Sequence, residues 1–83
     1  KKLDLLDNNL LDLIKKRTSL VNQILKAKKF KKQIVDKKRI KVILKRIRKK
    51  SQQRKIDTKL TNRIWKSMIY SYIDYEYRNF KKR

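Results

Sequence analysis

The feature that most constrains this chain is a sustained three-four apolar rhythm along its first thirty or so residues. Leu3, Leu6, Leu10, Leu13, Leu20, Val21, Ile24 and Ala27 fall on one helical face, and the pattern continues to about Phe30. At the rise of an α-helix such a segment reaches about 45 Å. That is longer than a small monomeric bundle built from 83 residues can cover. The stripe therefore predicts a second chain lying against it. Small chains ordinarily supplement a thin core with disulfides, a structural metal or a partner subunit. The chain has no Cys and no His, so a homo-oligomer is the expected source of stability.

The segment KKQIVD interrupts the rhythm, and Ile40, Val42, Ile43, Leu44 and Ile47 restart it with Asp36 standing where an N-cap belongs. This predicts a second, shorter helix to about Lys50. SQQRK is polar and aperiodic and reads as a linker. A third helix opens at Asp57 as N-cap, with Ile56 before it as a candidate staple residue, and runs to about Phe80. There is no internal repeat, no sustained heptad and no strand alternation. The expected fold is all-α, a single helical domain over residues 1–83 with three helices per chain: long, short and medium.

Composition removes several chemistries. Without His or Cys there is no imidazole base, no thiolate nucleophile and no soft metal site, and the seven carboxylates are too few for a convincing hard-metal cage. Without Gly there is no phosphate-cradling loop or dinucleotide fingerprint. No cofactor is expected. Apolar runs do not exceed three residues, as at Val42–Leu44, so neither a membrane span nor a signal-peptide core is expected. The lack of Cys fits a reducing compartment, the cytoplasm. The sequence begins at Lys1 without Met, which leaves room for a preceding segment.

The formal charge is +21, and residues 13–56 hold 19 basic residues against one acidic, Asp36. Such density suits phosphates or an anionic surface and makes nonspecific nucleic-acid binding one reading. A solvated charged exterior in a chain biased toward Lys, Ile, Asn and Tyr is the other. Phe30 is the only aromatic between Lys26 and Lys55, too little for a base-stacking platform. The same field would also steer a small dianion.

Three places break the apolar pattern. Arg17 occupies a stripe position four after Leu13 and three before Leu20, and Lys28 follows Ile24 by four. Eleven residues of helix would stack them about 16 Å apart along the axis, close enough for long side chains to converge on one anion. Snorkelling to solvent is the alternative for each. Asp36 and Arg39 share a face with Ile43 and Ile47, either as part of a site or as an N-cap with a surface ion pair. Glu76, the only Glu, continues the face of Trp65, Ile69 and Tyr72. An inward carboxyl there is costly unless protonated or paired. The alternative is an exposed Glu near a fraying end, offsetting Arg78 or Lys82. A pocket of cations, one acid and apolar walls suits a reaction that needs no proton shuttle, in which a dianion is clamped and developing charge is stabilised electrostatically. A pericyclic rearrangement is such a reaction.

With these residues in place, the chain resembles the all-helical chorismate mutase family. The resemblance is carried by LDNNLLDLIKKRTSLVNQILKAKK, by VDKKR in the manner of a D-x-x-R at the head of the second helix, and by ID-x-x-L-x-x-R-I-W entering the third. It implies an intertwined homodimer that converts chorismate to prephenate without cofactor. Carried over by position, Arg17 would clamp a substrate carboxylate and Lys28 would donate to the ether oxygen and a carboxylate. Asp36 would hold the substrate hydroxyl region and Arg39 would support it. Glu76 would donate to the same ether oxygen as Lys28. That role needs a protonated carboxyl and implies activity that fades as pH rises. The sequence departs from the family at Ile40, where an acidic residue is usual, and at Tyr72, where a small hydroxyl residue is usual. The arginine that the family extends across the dimer would fall before Lys1. Ile40 and Tyr72 are also similar to features of isochorismate pyruvate lyases, while Asp36 and Glu76 favour the mutase.

Overall fold

The computed structural model describes residues 1–80. Helix α1 spans Lys2–Ala27, a single 3₁₀ turn covers Lys31–Gln33, α2 spans Lys37–Gln53 and α3 spans Thr58–Asn79. No strand occurs among the described residues, and the long, short, medium order is the one expected. Lys82, considered above as a partner for Glu76, lies outside the described residues.

The helix ends have local chemical causes. α1 stops at Ala27 rather than near Phe30, because Gln33 intervenes: its Oε1 accepts the backbone N–H groups of Lys29 at 2.7 Å and Phe30 at 2.9 Å. A side chain that captures these donors competes directly with continuation of the helix ladder. Lys28 N–H closes the last turn onto the Leu25 carbonyl, and Lys28 itself is already extended, with φ −80 and ψ 130. At the head of α2 the Asp36 carboxylate accepts from Arg39 N–H at 3.0 Å, the cap expected there. Asp57 caps α3 in the same way, accepting from Lys59 and Leu60 N–H at 2.8 and 3.1 Å. No staple follows Ile56: the residue four beyond the cap is Thr61, which is polar, and Ile56 remains 41% exposed.

SQQRK is not a linker throughout. Ser51–Gln53 belong to α2, because Ser51 is buried: its hydroxyl donates to the Ile47 carbonyl at 2.7 Å and lies 2.7 Å from the hydroxyl of buried Thr61 on α3. The chain then reverses within Arg54 and Lys55. Lys55 N–H bonds to Gln52 O and Ile56 N–H to Ser51 O, the paired bonds of a Schellman turn. That turn needs a left-handed residue, and in a chain without Gly the position falls to Lys55, at φ 57.

The result is a flat molecule with principal extents of 39 × 31 × 15 Å. The 14.6 Å radius of gyration exceeds the roughly 12 Å of a compact chain this long. α2 and α3 form the closely packed pair, and α1 meets α3 from Ile14 toward its C-terminal end. The buried apolar residues are Val21, Leu25, Ile34 and Ile69. By contrast Leu3, Leu6, Leu10, Leu13, Leu20 and Ile24 are 55–74% exposed. Covering one such side chain fully is worth about 1.5–3 kcal/mol, so the open stripe forgoes stabilisation on the order of a small domain's whole stability.

The turn at Lys55 generates a prediction. Lys55→Gly removes the steric cost of the left-handed conformation, partly offset by the greater freedom of Gly in the unfolded chain, and should stabilise by about 0.5–1 kcal/mol. A thermal midpoint raised by a few degrees at fixed protein concentration is the expected result.

Candidate active site

The C-terminal half of α1, the segment leading into α2, the first turns of α2 and the second half of α3 line a half-open cavity of about 450 Å³. That volume suits a small metabolite. Its walls are apolar, from Val21, Ile24, Ile34, Ile43, Ile69 and Ile73, and its polar groups are Arg17, Lys28, Gln33, Asp36, Arg39, Tyr72 and Glu76, with Ile40 also on the lining.

The seven residues singled out in the sequence thus share one cavity, although not always by the route expected. Arg17 does lie on α1 and faces in, half-buried, with its guanidinium 5.0 Å from the Tyr72 ring centre. A cation over a ring face gains about 0.5–1 kcal/mol or more as it is desolvated, which helps hold the guanidinium in place. The Tyr72 hydroxyl is committed to α1: it lies 2.7 Å from the Thr18 hydroxyl and 3.3 Å from the Ile14 carbonyl. Tyr72 therefore presents its ring, rather than its hydroxyl, to Arg17.

Lys28 does not stack above Arg17 on a continuous helix. The helix has ended, and the extended backbone at Lys28 carries its ammonium across to α3, where Nζ donates to Glu76 Oε1 at 2.7 Å. The Glu76 residue is only 8% exposed, so the exposed, fraying-end reading does not hold. Arg78 pairs instead with Asp74, at 2.8 Å. Of the two ways an inward carboxyl can be tolerated, pairing is the one realised here.

Asp36 and Arg39 flank the other side. Their expected side-chain ion pair does not form, because the carboxylate is turned to the Arg39 backbone N–H in its capping role. Arg39 and Arg17 consequently meet no carboxylate among the described residues. With Lys28 and Glu76 offsetting one another, the cavity keeps two guanidiniums for an incoming anion, each able to bind a carboxylate through two parallel hydrogen bonds.

The sequence reading passed over Gln33 and Ile34. Ile34 is 5% exposed and anchors the connecting segment to the core. Its signal was available as the first apolar residue after the basic run. Gln33 carried no comparable signal, since its role depends on where Lys29 and Phe30 come to lie.

Residues 1–77 match the family described as chorismate mutase type II. The chain belongs to that family. No curated protein and no solved structure matches the chain. Membership of the chorismate mutase type II family supports mutase-type activity on a small-molecule substrate, and the cavity described above has the size and charge for one. No helix among the described residues is long and apolar enough to cross a membrane.

Proposed function

We propose that this chain is a chorismate mutase, converting chorismate to prephenate, and that Arg17, Lys28, Asp36, Arg39, Ile40, Tyr72 and Glu76 form its site. The observation that carries the reading is the pair of guanidiniums that meet no carboxylate, beside a Lys28–Glu76 pair in one apolar-walled cavity. Arg17 and Arg39 grip the substrate on opposite sides, Arg17 through a carboxylate. This holds the ether and the vinyl carbon in the folded geometry from which the carbon–oxygen bond breaks as the carbon–carbon bond forms. Positioning of this kind lowers the barrier without any covalent participation. Electron density accumulates on the ether oxygen as the bond breaks, and Lys28 Nζ donates to it. Glu76 sets the direction of that ammonium through its 2.7 Å bond with Lys28. Charge that exists only in the transition state is what this donor stabilises most. Asp36 receives the substrate hydroxyl. Ile40 replaces an acidic neighbour there with an apolar wall.

The test is chorismate turnover. Purified protein should consume chorismate with formation of prephenate. Glu76→Gln should retain turnover, since the amide oxygen can still accept from Lys28 while its nitrogen can donate to the ether oxygen. Arg17→Ala should lower kcat/KM by about a hundredfold or more with helix content intact, as expected for loss of a charge-assisted clamp. A near-normal rate in Arg17→Ala would remove the mechanism. Release of pyruvate from isochorismate, with chorismate untouched, would assign the lyase reaction instead.

We also propose that the functional unit is a homodimer in which the exposed α1 stripe of one copy packs on that of the other. The support is physical: the stripe from Leu3 to Ile24 is uncovered and only four apolar residues are buried among the described residues, too few for a chain that packs a core of its own. Dilution should lower the thermal midpoint, because dissociation and unfolding are then linked by mass action. A monomeric mass with a concentration-independent midpoint would exclude the dimer.

A second reading, compatible with the first, follows from α2. Lys45, Arg46, Arg48 and Lys49 line an open groove on this helix, and none of them meets a carboxylate among the described residues. Such a row fits the phosphates of nucleic acid without reading bases. Duplex binding should weaken linearly in log salt and lose about four charges' worth of slope when these four residues are changed to Gln. Chorismate turnover should be unaffected by the same substitutions.

A further inference from the structure

Gln33 lines the cavity, and its carboxamide is half committed. Oε1 accepts two backbone N–H groups, from Lys29 at 2.7 Å and from Phe30 at 2.9 Å. Two donors on one atom fix which end of the amide is oxygen, so the orientation is dictated by the hydrogen bonds themselves. The other end, Nε2, carries two hydrogens and donates to nothing among the described residues. Lys29 adjoins Lys28, so the bonds that hold Oε1 set the amide beside the Lys28 backbone, on a cavity lining that both residues share. A fixed, unpaired donor pair at that place suits an acceptor-only group.

We infer that Gln33 is a substrate-binding residue whose Nε2 donates to the substrate carboxylate at the Lys28 end of the cavity. The inference rests on the chorismate mutase reading of the site and adds a contact to it. Its physical content is a division of labour within one side chain: the oxygen terminates α1 and frees Lys28 to reach Glu76, while the nitrogen supplies a neutral donor to an anion. Because the amide is held before substrate arrives, little side-chain freedom is lost on binding. The carboxylate keeps its charge throughout the reaction, so the contact contributes alike to ground state and transition state. It therefore affects KM rather than kcat.

The substitution that separates the two roles is Gln33→Glu. A carboxylate still accepts both backbone N–H groups, which preserves the end of α1, but it has no donor for the ligand. KM for chorismate should rise about tenfold or more with kcat within about twofold and helix content unchanged. Because the substitution also lowers the net charge, Lys31→Gln provides the matched control: it makes the same charge change on a neighbour that does not line the cavity. Its effect should be small and should vanish between roughly 0.05 and 0.5 M salt, where distant charge interactions are screened. A KM increase in Gln33→Glu that survives high salt supports direct contact. An unchanged KM, or an increase abolished by salt, overturns the inference while leaving the mutase reading in place. Wild-type protein with no turnover of chorismate overturns both. Should Gln33→Glu fail to fold, the unmodified protein serves: the Gln33 side-chain amide resonances should move on titration with prephenate, and stationary resonances at saturation would overturn the proposal.

Discussion

The 2.7 Å ion pair between Lys28 and Glu76 joins the end of α1 to the last turns of α3, and the cavity is organised around it. Both side chains are less than a fifth exposed, at 19% and 11%. At that burial each charge would be expensive alone, and removing either partner would strand the other. The pair is possible because α1 ends one residue earlier. Had the helix continued through Lys28, its side chain would follow the helical face instead of crossing to α3. Gln33 therefore stands upstream of the pair, since it takes the two N–H groups that further helix would have used.

The join between α1 and α3 is polar to an unusual degree. Thr18 meets Tyr72, Asn22 accepts from Tyr75 and Lys28 pairs with Glu76. Only Val21 and Leu25 of α1 are buried. A helix with so much Leu that spends its contacts within the chain on hydroxyls, an amide and an ammonium leaves its apolar stripe for something else. The same feature explains why the core is thin and why the chain is flat. Directional bonds locate α1 against α3 without supplying much hydrophobic stabilisation, which typically exceeds that of net hydrogen bonding residue for residue.

Charge and site are connected by the same geometry. Most of the cations lie on exposed surface, but Arg17, Lys28 and Arg39 are drawn into one cavity with only Asp36 and Glu76 as carboxylates. Lys28 is neutralised by Glu76, and Asp36 is turned to backbone. What remains is a concentrated demand for anion inside a surface that is positive nearly everywhere. A dianion approaching from solution meets a favourable field at distance and defined donors at contact.

Much of this was legible in the residues. Apolar spacing located three helices, Asp36 and Asp57 marked two of their starts, and the cations and the acid that break the pattern are the ones that line the cavity. These signals are local, because a helix repeats every 3.6 residues and a cap acts within one turn. The sequence did not reveal that Ser51 is buried against Thr61, that Lys55 takes the left-handed turn, that Asp36 and Arg39 do not pair, or that Glu76 reaches Lys28. The first and last depend on groups from different helices arriving at the same place; the other two are settled within one turn, by competition among neighbouring groups for the same partner. A polar side chain does not carry, in its own spacing, the identity of the partner that will satisfy it. Composition and periodicity determined the three helices and their order. Tertiary structure decided where each polar atom found its partner, and so which donors remained for a ligand.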